Sequence, residues 1–300
     1  PTGSQDHFSE TSWDGSKWCC TCLEENQVLL FEGLPYEFPE EDRLFLISHR
    51  LGEARFHKNI SYRPEQDVVR GFTSADPETS RRMHEVMRRY SENVVQFLSR
   101  ILAPYAGHWK LDYASFRPEA EQDRKLPLHK RNDLLHTDAF PSRPTRGGRI
   151  LRCFTNLNPA EARIWQTTDP FPVLAMNHAA GAGLTDFARD GNSMFSTAIR
   201  GIKTAIGLAP KAQSRYDRFM LRFHDYLKEN SDFQRTCRKV SLEFPPGSTW
   251  ICFTDSVPHA VLRGQYAVEQ TLIVPPEALV APERSPLRIL EKLAGAPLVP

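Results

Sequence analysis

Apolar residues recur at three- and four-residue steps from Met83 through Val86, Met87, Tyr90, Val94, Phe97, Leu98 and Ile101 to Leu102. This period predicts one long amphipathic helix with a single buried stripe. Asp76 suits its cap and Pro77 its first turn. Pro104 and Gly107 mark its end. Such a helix is expected to back a sheet, with His84 as a surface or cap histidine.

From Trp109 the period changes to two. "WKLDYASFRP" sets Leu111, Tyr113, Ser115 and Arg117 on one face of a strand. "GGRILRCFTNLNP", "EARIWQTT", "KVSLEF", "STWICFT", "HAVLRG" and "EQTLIVPP" read as further strands. Turn signals such as Pro245-Pro246-Gly247 and Arg263-Gly264 separate them. Short strands at near-regular spacing predict an antiparallel sandwich or barrel.

A helical insert is expected over residues 184–230, in "LTDFARDGNSMFSTAIRGIKTAIG" and "KAQSRYDRFMLRFHDYLKEN". Its second stripe is Tyr216, Phe219, Met220, Phe223, Tyr226 and Leu227. Arg215, Arg218, Arg222 and Lys228 share that helix and read first as a solvated face. An anionic partner or a membrane surface is the alternative. The tail "SPLRILEKLAGAPLVP" offers a short amphipathic turn for packing or oligomerisation. Residues 1–70 are mixed: "NQVLLFEGLPYEF" and "RLFLISHR" suggest short strands or helical pieces and carry no recognisable chemistry. The expected organisation is an N-terminal segment, 1–70, packed on a domain of residues 71–300.

Composition places the chain among globular proteins, with 40% hydrophobic and 25% charged residues in 300. A net charge of +1 argues neither for nucleic acid nor for an acidic substrate, so local clusters must carry any such case. No apolar run approaches a membrane span, and no signal peptide is evident. Three of the six cysteines crowd into "CCTC" (Cys19, Cys20, Cys22). Without a second pair at zinc-ribbon spacing they read as reduced thiols of a cytoplasmic protein.

The chemistry concentrates in "LLHTDAFPSRPTRGGRILRCFTNLNP". Residues two apart on a strand point the same way, so His136 and Asp138 can address one ion. Two histidines and a carboxylate leave open positions on non-haem Fe(II), the arrangement that dioxygen activation needs. The second histidine must come from elsewhere. His178 lies in a flexible-looking "NHAAGAG" loop, and His224 in a helical stripe where a packed or capped role fits better. His259 follows the strand after the Pro-Gly turn and is the expected distal ligand. Zinc hydrolysis competes, because zinc accepts the same donors.

A 2-oxoglutarate bound to iron would need a cation for its far carboxylate, and arginine pairs with carboxylates in a bidentate way. Many such enzymes carry that arginine shortly after the distal histidine. Here the region reads "YAVEQT", with Gln270 in its place. Arg152 is the first candidate; Arg149, on the opposite strand face, and Arg117 are the next. Arg143 and Arg146 follow Asp138, while Lys125, Lys130 and Arg131 precede His136. These flanking charges suggest an anionic substrate at a barrel mouth.

The block from His136 to Pro159, with "FTDSVPHAVLRG" downstream, resembles the Kdo 3-hydroxylases, Fe(II)/2-oxoglutarate dioxygenases of Gram-negative bacteria. The resemblance runs from about the long helix to "EQTLIVPP". It implies an α+β chain with a double-stranded β-helix (jelly-roll) core, supporting helices and the helical insert. It implies hydroxylation at carbon 3 of Kdo attached to lipid A, with dioxygen consumed and succinate and CO2 released. It gives His136, Asp138 and His259 to iron and Arg152, or Arg149, Arg117 and Gln270, to 2-oxoglutarate. Arg117, Arg131, Arg143 and Arg146 would face the acidic sugar or phosphates. A cytoplasmic place at the inner membrane follows, with peripheral membrane contact or an oligomer compatible and nucleic acid not expected. The same chemistry on a protein side chain or metabolite is the alternative, as is a non-catalytic β-barrel that binds acidic sugars.

Overall fold

A computed structural model describes residues 13–49, 59–120, 126–189 and 213–300. All seven strands expected beyond Trp109 form. They are β4 (Lys110–Arg117), β5 (Arg149–Asn156), β6 (Arg163–Thr167), β7 (Val240–Phe244), β8 (Thr249–Phe253), β9 (His259–Arg263) and β10 (Ala267–Val274). Three short strands precede them, β1 (Leu29–Phe31), β2 (Ile60–Arg63) and β3 (Val68–Arg70). Seven strands make one sheet in the order β1-β8-β5-β10-β4-β2-β3, and β7-β6-β9 make another. An isolated antiparallel bridge between His136 and His259 extends the smaller sheet by one short rung. The two sheets form the jelly roll. Phe154, Trp250 and Cys252 of the larger pack between them against Trp165, Phe244, Val257 and Val261 of the smaller side.

The outer face of the larger sheet is covered by α1 (Trp13–Glu24) and α3 (Pro77–Ile101), with α2 (Glu40–Ile47) beside them. Asp76 caps α3 by accepting from the N–H groups of Glu78 and Thr79. Such a cap contributes about 1 kcal/mol. The predicted stripe lies against Ala114, Phe116, Leu151, Cys153, Ile251, Phe253, Val268 and Leu272 of the sheet. Each large apolar side chain buried there contributes about 1.5–3 kcal/mol, so a charge at Met87 or Val94 would break the seam. Cys19, Cys20 and Cys22 are buried in the same core as free thiols, and burial pushes Cys19 up to about 11. They are packing residues.

The remaining helices gather on the other side: α4 (Phe171–His178), α5 (Leu184–Arg189), α6 (Arg215–Glu229), α7 (Ser231–Thr236) and α8 (Pro286–Ala294). Their apolar faces share a core with Leu135 and Ala260, so they brace the segments that carry His136 and His259. The tail helix α8 is part of this core. The insert's middle, residues 190–212, and Lys125 lie outside the described residues. His178 ends α4 and does not sit in a flexible loop.

One strand departs from strict alternation. Ala114 pairs with Gln270 but Leu111 pairs with Leu272, so β4 spends one residue more than β10 between these rungs. This bulge separates Leu111, which packs on the α3 core, from Tyr113, which meets Arg143 on the inner side. Residues 59–70 also have a structural role that composition did not reveal. Strand β2 pairs with β4 and widens the larger sheet on the side of Arg117.

Candidate metal centre and anion pocket

His136 and His259 are presented by matching devices. Nδ1 of His136 lies 2.7 Å from the Leu134 carbonyl, and Nδ1 of His259 lies 2.9 Å from the Val257 carbonyl. A carbonyl only accepts, so each Nδ1 donates and each Nε2 keeps its lone pair. The rings lie 4.7 Å apart. Asp138 follows two residues later, its N–H donating to the carbonyl of Thr254, just beyond β8. One Asp138 carboxylate oxygen, Oδ1, stands 3.7 Å from His136 Nε2. The other, Oδ2, is buried without a hydrogen-bond partner.

Two bare imidazole nitrogens and an under-satisfied carboxylate fit a first-row metal, whose donors sit about 2 Å away. Burial, then the neighbouring His259, His224 and Lys228, holds His136 well below its ordinary range. Burial likewise lowers His259. Burial would raise the Asp138 carboxyl, but Arg152 and the two imidazoles outweigh it and hold it far below the carboxylate range. All three groups are therefore in their ligating forms at neutral pH.

These residues line a cavity of about 150 Å3 with Asn59, Arg117, Asn132, Arg152, Phe154, Arg163 and Trp165. Arg152 Nη1 lies 3.3 Å from Asp138 Oδ2 and 3.6 Å from Glu269 Oε2. Arg117 grips Glu269 with Nη2 at 2.9 Å from both carboxylate oxygens. Burial raises the Glu269 carboxyl, yet Arg117 and then Arg152 leave it lowered. Arg163 is held by a donation from Nη1 to the Gly264 carbonyl at 3.2 Å. Gly264 has φ +127°, and a Cβ there would lie 2.7 Å from Arg163 Cγ, so only glycine allows this approach.

Several expectations are corrected by this geometry. Arg149 is 0% exposed and turns away from the cavity. Its Nε donates to Asp255 at 2.9 Å, Nη2 donates to Ser256 Oγ at 2.5 Å, and the guanidinium stacks over Phe253. It is a buried structural cation and does not reach a co-substrate. Gln270 also faces outward, accepting from Ser91 Oγ of α3 and donating to the Asp112 carbonyl. The residue of β10 that faces inward is its neighbour Glu269.

Arg131 is committed to Asp133, and Asn132 is the residue of that stretch lining the cavity. Arg146 adopts φ +53°, with its N–H donating to Asp217 Oδ1. Neither arginine lines the cavity described here. Lys228 is buried, with Nζ donating to the His129 carbonyl, so it is not part of a solvated face.

Sequence reasoning missed Asn59, Asn132, Arg163, Trp165 and Glu269, and it set His224 aside. His224 donates from Nδ1 to the Thr137 carbonyl at 2.8 Å, and its ring lies 4.8 Å from that of His136. Ligand atoms of His136, Asp138 and His224 all lie within 4.8 Å of one another. His224 therefore adjoins the centre from the helical side. His259 shares the cavity wall and the backbone bridge with His136, whereas His224 is not among the residues that line the cavity.

The chain matches the family described as 3-deoxy-D-manno-oct-2-ulosonic acid (Kdo) hydroxylase over residues 7–297. No curated protein matches. Among solved structures, it is similar to the Kdo hydroxylase KdoO, a non-haem Fe(II) alpha-ketoglutarate-dependent dioxygenase. The form with alpha-ketoglutarate and Fe(III) has 33% identity and a TM-score of 0.83, covering 97% of this chain and 94% of that one. The cobalt(II) form gives 33% and 0.85, covering 99% and 95%. The form with succinate and Fe(III) gives 33% and 0.84 with the same coverage as the cobalt form. The convergence of two strand-borne histidines and an aspartate on an arginine-lined cavity agrees with that likeness, and the chain belongs to the Kdo hydroxylase family.

Proposed function

We propose that the chain is an Fe(II)/2-oxoglutarate-dependent dioxygenase that hydroxylates carbon 3 of Kdo attached to lipid A, releasing succinate and CO2. The observation that carries this reading is the meeting of His136, Asp138 and His259 in one cavity with Arg117, Arg152 and Arg163. Bound iron supplies dioxygen activation coupled to oxidative decarboxylation of 2-oxoglutarate.

The chain's own part is positional. His136, Asp138 and His259 would hold the metal, two imidazoles and one carboxylate being a donor set that suits non-haem iron. Arg152 is the first choice for the far carboxylate of 2-oxoglutarate, because it lies beside Asp138 with its Nε–H buried and without an acceptor. Arg117, fixed by Glu269, faces the substrate side. Phe154 and Trp165 line the cavity, with Trp250 packed behind them, and this apolar wall would keep water from the reacting centre. Three cavity guanidiniums stand against two carboxylates, Asp138 and Glu269. An iron dication and a 2-oxoglutarate dianion cancel, so the surplus positive charge favours an anionic substrate.

No helix among the described residues is long and apolar enough to cross a membrane. A lipid-anchored acidic sugar would be met at the cytoplasmic face of the inner membrane, with the chain as a peripheral visitor. Anaerobic addition of Fe(II) and 2-oxoglutarate should give a weak visible charge-transfer band. Aeration with lipid A bearing Kdo should give succinate and a mass gain of one oxygen on the sugar. No band and no succinate would remove the oxidative reading and favour a sugar-binding barrel; succinate with an unchanged sugar would remove the substrate.

A further inference from the structure

Arginines and aromatic rings alternate from the cavity toward the surface. The Arg152 guanidinium lies 5.5 Å from the Phe140 ring centroid, and Arg143 lies 4.2 Å from the same ring. Arg143 also lies 4.2 Å from the Tyr113 centroid, and Arg63 of β2 lies 4.9 Å from that ring. Exposure grows along the row, from 10% for the Arg152 side chain to 31% for Arg143.

Stacking fixes a guanidinium's plane without using its N–H groups. The Nε–H groups of Arg63 and Arg152 are buried without a hydrogen-bond partner, while that of Arg143 is buried beside a single carboxylate. A buried unsatisfied donor is costly, so Arg63 and Arg152 each gain from an acceptor that a bound anion would bring. The only carboxylate beside the row's outer half, among the described ion pairs, is Asp112, 3.3 Å from Arg143 Nε. Burial holds the Asp112 carboxyl above its ordinary range against the pull of Arg143.

We infer that Arg63 and Arg143, racked on Tyr113, form a second anion subsite at the mouth, which takes a carboxylate or phosphate of the substrate beyond the sugar presented to the metal. This rests on the family reading above. It gives residues 59–63 a recognition role, and it ties the substrate's reach to a strand remote in sequence from the metal motif.

The test is steady-state hydroxylation of lipid A bearing two Kdo units and its phosphates by the full chain, by Arg63→Gln and by Arg143→Gln. Each variant is expected to raise KM about tenfold, with kcat within about twofold, because one charge-assisted contact is lost. Arg63→Lys should recover part of the loss. Matching thermal melts show that each variant is folded. Repeating the series with a single-Kdo substrate and with a dephosphorylated one identifies the anion: the variants' penalty disappears on whichever substrate lacks it. An unmoved KM in both variants, or a fall in kcat alone, overturns the inference. No turnover by the unaltered chain overturns the proposed substrate and the inference with it.

Discussion

His136 and His259 exchange both backbone hydrogen bonds of one antiparallel bridge, N–H to carbonyl at 3.2 Å in one direction and 2.9 Å in the other. A peptide rung thus fixes the spacing of two imidazoles that are far apart in sequence. Side-chain packing refines a geometry that the backbone has already set.

This makes the third metal donor testable. Removing His136 or Asp138 by alanine should abolish turnover. His259→Ala should lower Co(II) affinity by more than about a hundredfold, whereas His224→Ala, as a neighbour of the centre, should cost about tenfold. Titration of the metal-free protein, followed by its visible absorption, measures both. The reverse ranking would give the third position to His224.

Arg152 carries the prediction about 2-oxoglutarate. Arg152→Ala should raise the KM for 2-oxoglutarate by about a hundredfold, the loss of a bidentate charged contact. Saturating co-substrate should restore most of kcat. If no concentration restores activity, the carboxylate is held by Arg117 or Arg163, and Arg152 serves mainly to neutralise Asp138 and Glu269.

Arg149 should behave as a stability residue. Arg149→Ala strands the buried Asp255, at a cost of about 3–5 kcal/mol. Combining Arg149→Met with Asp255→Asn should restore much of that loss, since no buried charge is left alone. Urea denaturation of the single and double variants measures it, and a soluble, stable Arg149→Ala with raised KM for 2-oxoglutarate would contradict the assignment.

Acid should weaken the metal-free fold. Burial lowers His136, His224 and His259 below the ordinary 6.5 in the folded state. As pH falls through about 6.5 the unfolded chain takes up protons that the folded one refuses, so unfolding gains. The melting temperature of the metal-free protein should fall over that window, and His259→Gln should flatten the slope. A melting temperature that rises toward acid would contradict the sign.

Local periodicity makes the frame legible. The two-residue period finds the strands, and it separates Arg152 from Arg149 on β5, because alternation is a property of the backbone. It misses the bulge in β4 because inserting one residue leaves no mark in composition. Glu269 is within reach of the same rule: Val268, Leu272 and Val274 define the core face of β10, and 269 must then point inward. Gln270, which replaces a familiar arginine, is the more conspicuous residue, yet it faces the helices. His224 and Lys228 escape the pattern for a different reason. A helical stripe shows that a face is covered, but not that the cover is a metal centre. Asn59, Arg63 and Arg163 come together only through strand pairing, which no local pattern encodes.

Trp165 stacks on the His259 ring, with centroids 4.9 Å apart and planes inclined by 22°. Its indole also meets Phe154, Phe244 and Trp250 edge-on. This indole is a built-in fluorophore pressed against an imidazole proposed to hold the iron. An open-shell ion held by that imidazole would quench its emission, while a closed-shell ion such as Zn(II) would leave it bright. The chain thus carries its own optical gauge of which metal occupies it.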